Sequence, residues 1–186
     1  EVTQELDYTY QGKVKVNHIV DTMIERVGAE RISSWVLKPL AGLKVVCYYG
    51  GLITRPKTVT GAEHNEYPMG MDNLMKALGA TVLDWNFKTD CCGNNLTLTE
   101  TAVALQMTQR ILHDAKAVGA DAVVVACPLC HTNLDGRQTQ MPDQQPIPAM
   151  YFTQLMAVAF GLPEKAAALK KNLIDPRPVL SAAGVL

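Results

Sequence analysis

The sequence predicts an α/β domain of three layers, a Rossmann-like parallel sheet with helices on both faces and a cysteine site at the carboxyl edge of the strands. Three observations predict it. Short, nearly all-apolar runs alternate with segments of helical periodicity, the order that parallel strands and their crossovers require. A glycine pair closes the run LKVVCYYGG, and Pro128 sets the turn after GADAVVVAC. Four of the five cysteines fall where strands should end, the edge at which the loops of an open parallel sheet converge.

The elements follow in order. The opening segment, to about Tyr10, has no clear period. Val16, Ile19, Val20, Met23, Ile24 and Val27 keep the three-and-four spacing of an amphipathic helix, which Gly28 stops. A shorter helix, RISSWVLKPL, runs to the break at Pro39. LKVVCYYGG reads as a buried strand and sharp turn. Residues 54–68 form a loop, MGMDNLMKALG a helix ending at Gly79, and TVLDWNF the next strand. The longest helix covers residues 98–118, with Thr99 and Thr101 as candidate caps and Val103, Leu105, Met107, Ile111, Leu112 and Ala115 on its apolar stripe. GADAVVVACP is a strand apolar enough to be covered on both faces. PIPAMYF is the last strand, followed by helices over FTQLMAVAFG and PEKAAALKKN. Residues 1–41 read as a helical lead-in packed on a domain of residues 42–186.

Composition limits the function classes. The 186 residues carry a formal net charge of -1 and no basic block beyond Lys170–Lys171, so nothing advertises a nucleic-acid surface. No apolar run is long enough to span a bilayer. The first residues lack the basic and apolar regions of a signal peptide, and an odd number of cysteines argues against a disulfide framework. Reduced thiols and a cytoplasmic location are expected. The chain starts with Glu, so a fragment with sequence upstream is expected.

The cysteines carry the functional signal. Cys47 lies late in one apolar run, the vicinal pair Cys91–Cys92 follows a second, and Cys127 closes a third, with Cys130 completing CPLC. Adjacent cysteines make a strained disulfide, so Cys91 and Cys92 call for another use. Gathered as thiolates, such residues are soft ligands for an iron–sulfur cluster or for zinc. Pro128 sets the turn inside CPLC, and helix-starting backbone N–H groups beyond it are expected to stabilise negative sulfur. Gly93 lets the chain approach a bulky group. A single zinc takes four ligands, whereas a multinuclear centre has room for all five. Two other readings stay open: Cys47 as a small core hydrophobe, and Cys127–Cys130 as a metal-free redox dithiol.

These residues resemble the cysteine-rich CCG domain, and specifically the C-terminal half of the B component of heterodisulfide reductase. The likeness includes YQGKVKVNHIVDTM, GLKVVCYYGGLITRP, MDNLMKALGATVLDWNFKTDCCG, GADAVVVACPLCHTNLD, YFTQLMAVAFGLP and DPRPVL. The resemblance implies an oxidoreductase half-subunit that holds a noncubane [4Fe–4S] cluster and splits a disulfide or related thiol substrate in anaerobic metabolism. It implies partner iron–sulfur and flavin subunits that supply electrons. Cys91, Cys92, Cys127 and Cys130 map directly onto cluster ligands. Cys47 is the remaining candidate for the fifth; the family's ligand follows the glycine of a stretch like YYGC, a position held here by Gly51. Loss of the cluster from an isolated domain is part of the same expectation. The alternatives are a related electron-transfer subunit serving lactate, glycolate or succinate oxidation, and a zinc-stapled interaction module.

Other candidates are weaker. His131, next after CPLC, is a proton source for a leaving thiol or a first-turn residue bonded to backbone. Arg55 and Lys88 are candidates for an anionic substrate group or for fixing their loops. His64 reads as solvated, His18 and His113 as surface or packing residues, and Trp85, Tyr48 and Tyr49 as core or pocket wall.

Overall fold

The computed structural model describes residues 4–5, 8–9, 11–14, 16–62, 64–141 and 145–186. Much of the expected aperiodic start, including Tyr10, lies outside the described residues. Four strands form one all-parallel sheet in the order β2–β1–β3–β4: β1 (Lys44–Tyr48), β2 (Thr81–Val82), β3 (Ala122–Val125) and β4 (Ala149–Tyr151). Cys47 stands opposite Val124 and Val124 opposite Met150, so the central ladder is in register across three strands.

Successive strand residues face opposite sides, and both sides are covered. Val45, Cys47, Ala122, Val124 and Met150 pack into one buried cluster; Val46, Tyr48, Val123, Val125 and Ala149 pack into another. On the first side lie α1 (Ile19–Thr22, continuing as a π-helical turn over Met23–Val27) and α2 (Ala29–Ser34). The short α3 (Lys57–Thr60) follows in the loop after β1, and α4 (Gly70–Ala77) brings Met71, Leu74 and Met75 to that same cluster. The second side is covered by α5 (Thr101–Ala117), through Ile111, Leu112 and Ala115, and by α6 (Pro128–Gly136), through Cys130 and Leu134. After β4, α7 (Phe152–Ala159), α8 (Glu164–Ala167) and α9 (Arg177–Ala182) return to the first side. This is the expected three-layer α/β fold. Val20, Ile32 and Leu40, from the lead-in, sit in the first cluster.

Several bounds differ from the sequence reading. The second strand is expected over TVLDWNF, yet the ladder ends at Val82 apart from one further bond, Leu83 N–H to the Val45 carbonyl at 2.8 Å. Asp84 accepts the Trp85 N–H and the Trp85 indole N–H turns in to the Cys47 carbonyl at 3.0 Å, which takes the chain off the edge. The loop expected over residues 54–68 contains α3. The helix expected over PEKAAALKKN breaks at Ala168, whose φ of 52° ends α8 and leaves a 3-10 turn over Leu169–Lys171. Neither Thr99 nor Thr101 caps α5: Glu100 holds that position without a side-chain bond, and the Thr101 hydroxyl donates back to the Thr97 carbonyl.

Candidate thiol site at the carboxyl edge

The strand order places a topological switch between β1 and β3, because the chain leaves β1 toward β2 on one side and passes to β3 on the other. Loops at such a point diverge and leave a crevice. The loop after β1 supplies Gly51, Leu52 and Arg55; the loop before α5 supplies Cys91, Cys92, Asn94 and Asn95; the turn into α6 supplies Cys127, Leu129 and Cys130. Together they line one cleft of about 390 Å³.

Hydrogen bonds bring the segments together. Tyr49 and Gly50 both donate their N–H groups to the Lys88 carbonyl, at 2.8 and 3.2 Å, and the Tyr48 hydroxyl donates to the Asp90 carbonyl at 2.6 Å. The vicinal cysteines are thereby laid against the end of β1. The Cys92 carbonyl is held from below by the Asn133 amide at 3.0 Å and the Thr108 hydroxyl at 3.3 Å. Gly93, at φ 76°, makes the turn beyond; a Cβ there would meet Ala104 Cα and Met107 Sδ at 3.0 Å, so only glycine fits against α5. Gly50 has the same role on the opposite wall, where a Cβ would come within 3.0 Å of Cys130 Sγ.

The sulfurs share few protons. Cys92 and Cys130 Sγ lie 3.6 Å apart, and Gly93 N–H donates to Cys91 Sγ at 3.3 Å. Cys127 is the N-cap of α6, with Pro128 at its first position. Its thiol is lowered to about 5, first by hydrogen bonding from Cys130 and then by the Cys130 and Leu129 backbone N–H groups. Cys92 is lowered to about 6, again chiefly by Cys130, with help from the Asn94 backbone and the Asn133 side chain. Cys130, between these two acceptors, is the thiol that keeps its proton, its pKa raised by both neighbours and by burial. Cys130 has a single proton to donate, for which Cys92 and Cys127 compete, and the cleft presents soft, readily ionised sulfur suited to a thiophilic metal centre. Among the described residues no three His, Cys, Asp or Glu side chains are grouped to hold a single metal ion; the thiols ring the cleft. One thiolate per iron around a recess is the donor pattern of a cluster, and the donor set fits that group.

Cys47 is not with them. It is fully buried in β1 and belongs to the packing cluster on the other side of the sheet, where burial and then Asp72 raise its pKa far above the ordinary thiol range. Cys92 and Cys130 pack with Val46 and Tyr48, the residues on either side of it. Gly51, four positions on, does line the cleft. The His131 ring is engaged at β4, where Nε2 meets the Ala149 carbonyl at 2.9 Å and Asn172 Nδ2 lies at 3.3 Å. Arg55 borders the cleft, but its guanidinium is bonded to Glu66 at 2.6 Å and Thr89 at 3.3 Å. Lys88 is buried and paired with Asp72 at 2.5 Å, beneath the site. Trp85 and Tyr48 form an edge-on pair in the core, and His113 is exposed on α5.

Sequence reasoning missed three positioning residues. Asn133 lies one helical turn after Cys130, a spacing that could have marked it. Asp72 stands within the apolar stripe Met71, Leu74, Met75, an exposed-type residue at a buried position. Thr108 gave no signal; the hydroxyl is polar but small enough to pass as core.

An open parallel sheet with four thiols around a cleft at its switch point defines a thiol-centred α/β domain. Residues 54–135 match the cysteine-rich domain family CCG. It is 33% identical over 171 residues to the 8-methylmenaquinol:fumarate reductase membrane anchor subunit of Wolinella succinogenes, spanning 90% of this chain and 60% of that one. It is 29% identical to the B component of the ferredoxin/F420H2-dependent CoB–CoM heterodisulfide reductase of Methanosarcina acetivorans, covering 92% and 59%. A protein of Archaeoglobus profundus described as like the heterodisulfide reductase B component is 25% identical, at 91% and 60%. The chain thus spans about three-fifths of the length of these relatives. The fold alone is shared with a crystal structure of a hypothetical protein from Helicobacter pylori, with TM-score 0.69 and 9% identity, covering 92% of this chain and 31% of that one. Among the described residues no helix is long and apolar enough to cross a membrane.

Proposed function

We propose that the chain is the iron–sulfur electron-transfer and disulfide-reducing domain of a protein like the heterodisulfide reductase B component. The observation that carries this reading is the convergence of Cys91, Cys92, Cys127 and Cys130 on one cleft, where the Cys92 and Cys127 pKa values are lowered. These four would hold a [4Fe–4S] cluster of the noncubane kind, which would supply one-electron chemistry for reducing a disulfide. The protein does the rest. The N-terminus of α6 stabilises negative sulfur at Cys127, and Asn133 and Thr108 fix the Cys92 loop. Gly50 and Gly93 keep the walls thin, and Leu52 and Leu129 give the cleft an apolar lip. Cys47 is proposed as a core residue, and Gly51 marks where a fifth ligand has no side chain. Electrons come from iron–sulfur and flavin partner subunits, and the location is cytoplasmic, in keeping with five free thiols.

Iron and acid-labile sulfide assays on anaerobically purified protein test the reading. About four of each per chain are expected; about one zinc and no iron would sink it and leave the zinc module. A second reading, electron transfer within a fumarate- or succinate-linked complex, is favoured by the similarity to the Wolinella protein. Reoxidation of the dithionite-reduced protein by added disulfides separates the two, since only a disulfide-reducing domain responds without its partners.

A further inference from the structure

The carboxyl edge holds a second recess of about 320 Å³, on the other side of the β1–β3 rim, beneath α1. Tyr49, Ile53 and Thr54 enter it from the loop after β1, and Ala126 from the end of β3. Its size is at the lower end for small-molecule sites.

Three features describe its occupant. Asp21 and Glu25 border the recess from successive turns, and among the described residues no Lys or Arg lines it. Among the described residues neither carboxylate has an ion-pair partner. Like charges four residues apart repel; burial, with Glu25 adding and His18 opposing, raises the Asp21 pKa above its ordinary value. Thr54 is 2% exposed, and its buried hydroxyl has no hydrogen-bond partner. Buried polar groups of this kind are satisfied in native proteins, by solvent or by ligand. Finally, the recess opens into a groove of about 410 Å³ that shares His18 and Asp21 with it, and Leu52 and Cys127 with the thiol cleft. The His18 ring stands at the junction, held there by the Val20 N–H donating to Nδ1 at 3.3 Å.

We propose that this recess binds the ammonium group of a small amine-bearing thiol or disulfide whose sulfur lies along the groove toward Cys127. An ammonium has three donors and no acceptor. Asp21, Glu25 and the Thr54 hydroxyl are three acceptors without a cation. The approach to Cys127 rests on the redox reading given above; the amine site stands without it.

The test uses thioethers that cannot exchange with thiols, titrated into the 186-residue chain and followed by NMR. S-methylcysteamine carries the ammonium, 2-(methylthio)ethanol is neutral and 3-(methylthio)propionate is anionic. The ammonium probe should bind about tenfold more tightly than the neutral one, as one relieved charge interaction implies, and its S-methyl should contact Leu52 and Ala126. Asp21→Asn with Glu25→Gln should erase that preference. Thr54→Val, which removes an unpartnered hydroxyl, should weaken the ammonium probe while leaving thermal stability unchanged or raised. Equal binding of all three probes, or a preference that survives the Asp21/Glu25 variant, overturns the site. Binding at the recess without S-methyl contacts at Leu52 and Ala126 overturns the link to the thiols. Iron content, measured separately, reports on the redox reading alone.

Discussion

The side-chain amide of Asn133 donates to the main-chain carbonyl of Cys92 across 3.0 Å, tying the helix that carries Cys130 to the loop that carries the vicinal pair. The bond is buried, and Thr97 holds the amide oriented through its hydroxyl at 3.2 Å. Asn133→Leu leaves the Cys92 carbonyl with Thr108 alone. It should cost about 1–2 kcal/mol in urea denaturation of the metal-free chain. Iron retention after desalting should fall in parallel, because the loop that presents two of the four thiols is loosened.

Lys88 and Asp72 are both buried, with side chains 3% exposed, and their atoms meet at 2.5 Å. Breaking one half of such a pair strands the other charge. Lys88→Met should therefore destabilise by about 3–5 kcal/mol, and Lys88→Met combined with Asp72→Asn by clearly less. Denaturation midpoints of the two single variants and the double variant check the sign of the coupling. A double-variant loss equal to the sum of the two single losses would mean that the pair contributes nothing.

The two adjacent glycines of the rim should respond in opposite ways. Gly50 sits at φ 66° with its absent Cβ facing Cys130 Sγ, so Gly50→Ala should cost about 1–2 kcal/mol and lower iron per chain. Gly51 is not at positive φ, and a Cβ there meets nothing within 4 Å. Gly51→Cys should be accepted by the fold, add a thiol to the cleft wall and raise iron retention during aerobic handling. Iron assays on both variants decide this.

Thiol chemistry in the metal-free chain should separate the five cysteines. Alkylation needs the thiolate. Because the Cys127 pKa is lowered to about 5 from an ordinary 9.0, its thiolate persists above that lower value and is lost only as pH falls through it. Its iodoacetamide labelling, followed by peptide mass spectrometry, should thus stay high at mildly acidic pH. Cys47, buried and with its pKa raised, should label only after denaturation. Cys47→Ala should leave iron content unchanged and cost about 1 kcal/mol, as loss of a small core group does.

The fold was legible because the central strands are apolar on both faces. VVCY and AVVV leave little choice but a sheet covered on two sides, and the cysteines after the second and third strands had to share an edge. β2 was overread because TVLDWNF alternates well, while nothing local announces that Asp84 and Trp85 will bond elsewhere. Cys47 is the instructive case. A residue inside a strand, followed by one more strand residue, is governed by side-chain alternation; it faced the core opposite the site because Tyr48, its neighbour, faces the other way. Asp72 and Asn133 escaped notice because their partners lie 16 and 41 residues away, and only the folded chain pairs them.

Lys88 spans two layers of the molecule: its carbonyl receives the turn after β1, while its ammonium is locked to the helix packed on the far side of the sheet. One residue, three positions before Cys91, thus fastens the rim of the cleft to α4. Loss of the α4 anchor would free both the segment leading into the vicinal cysteines and the turn after β1 that it holds.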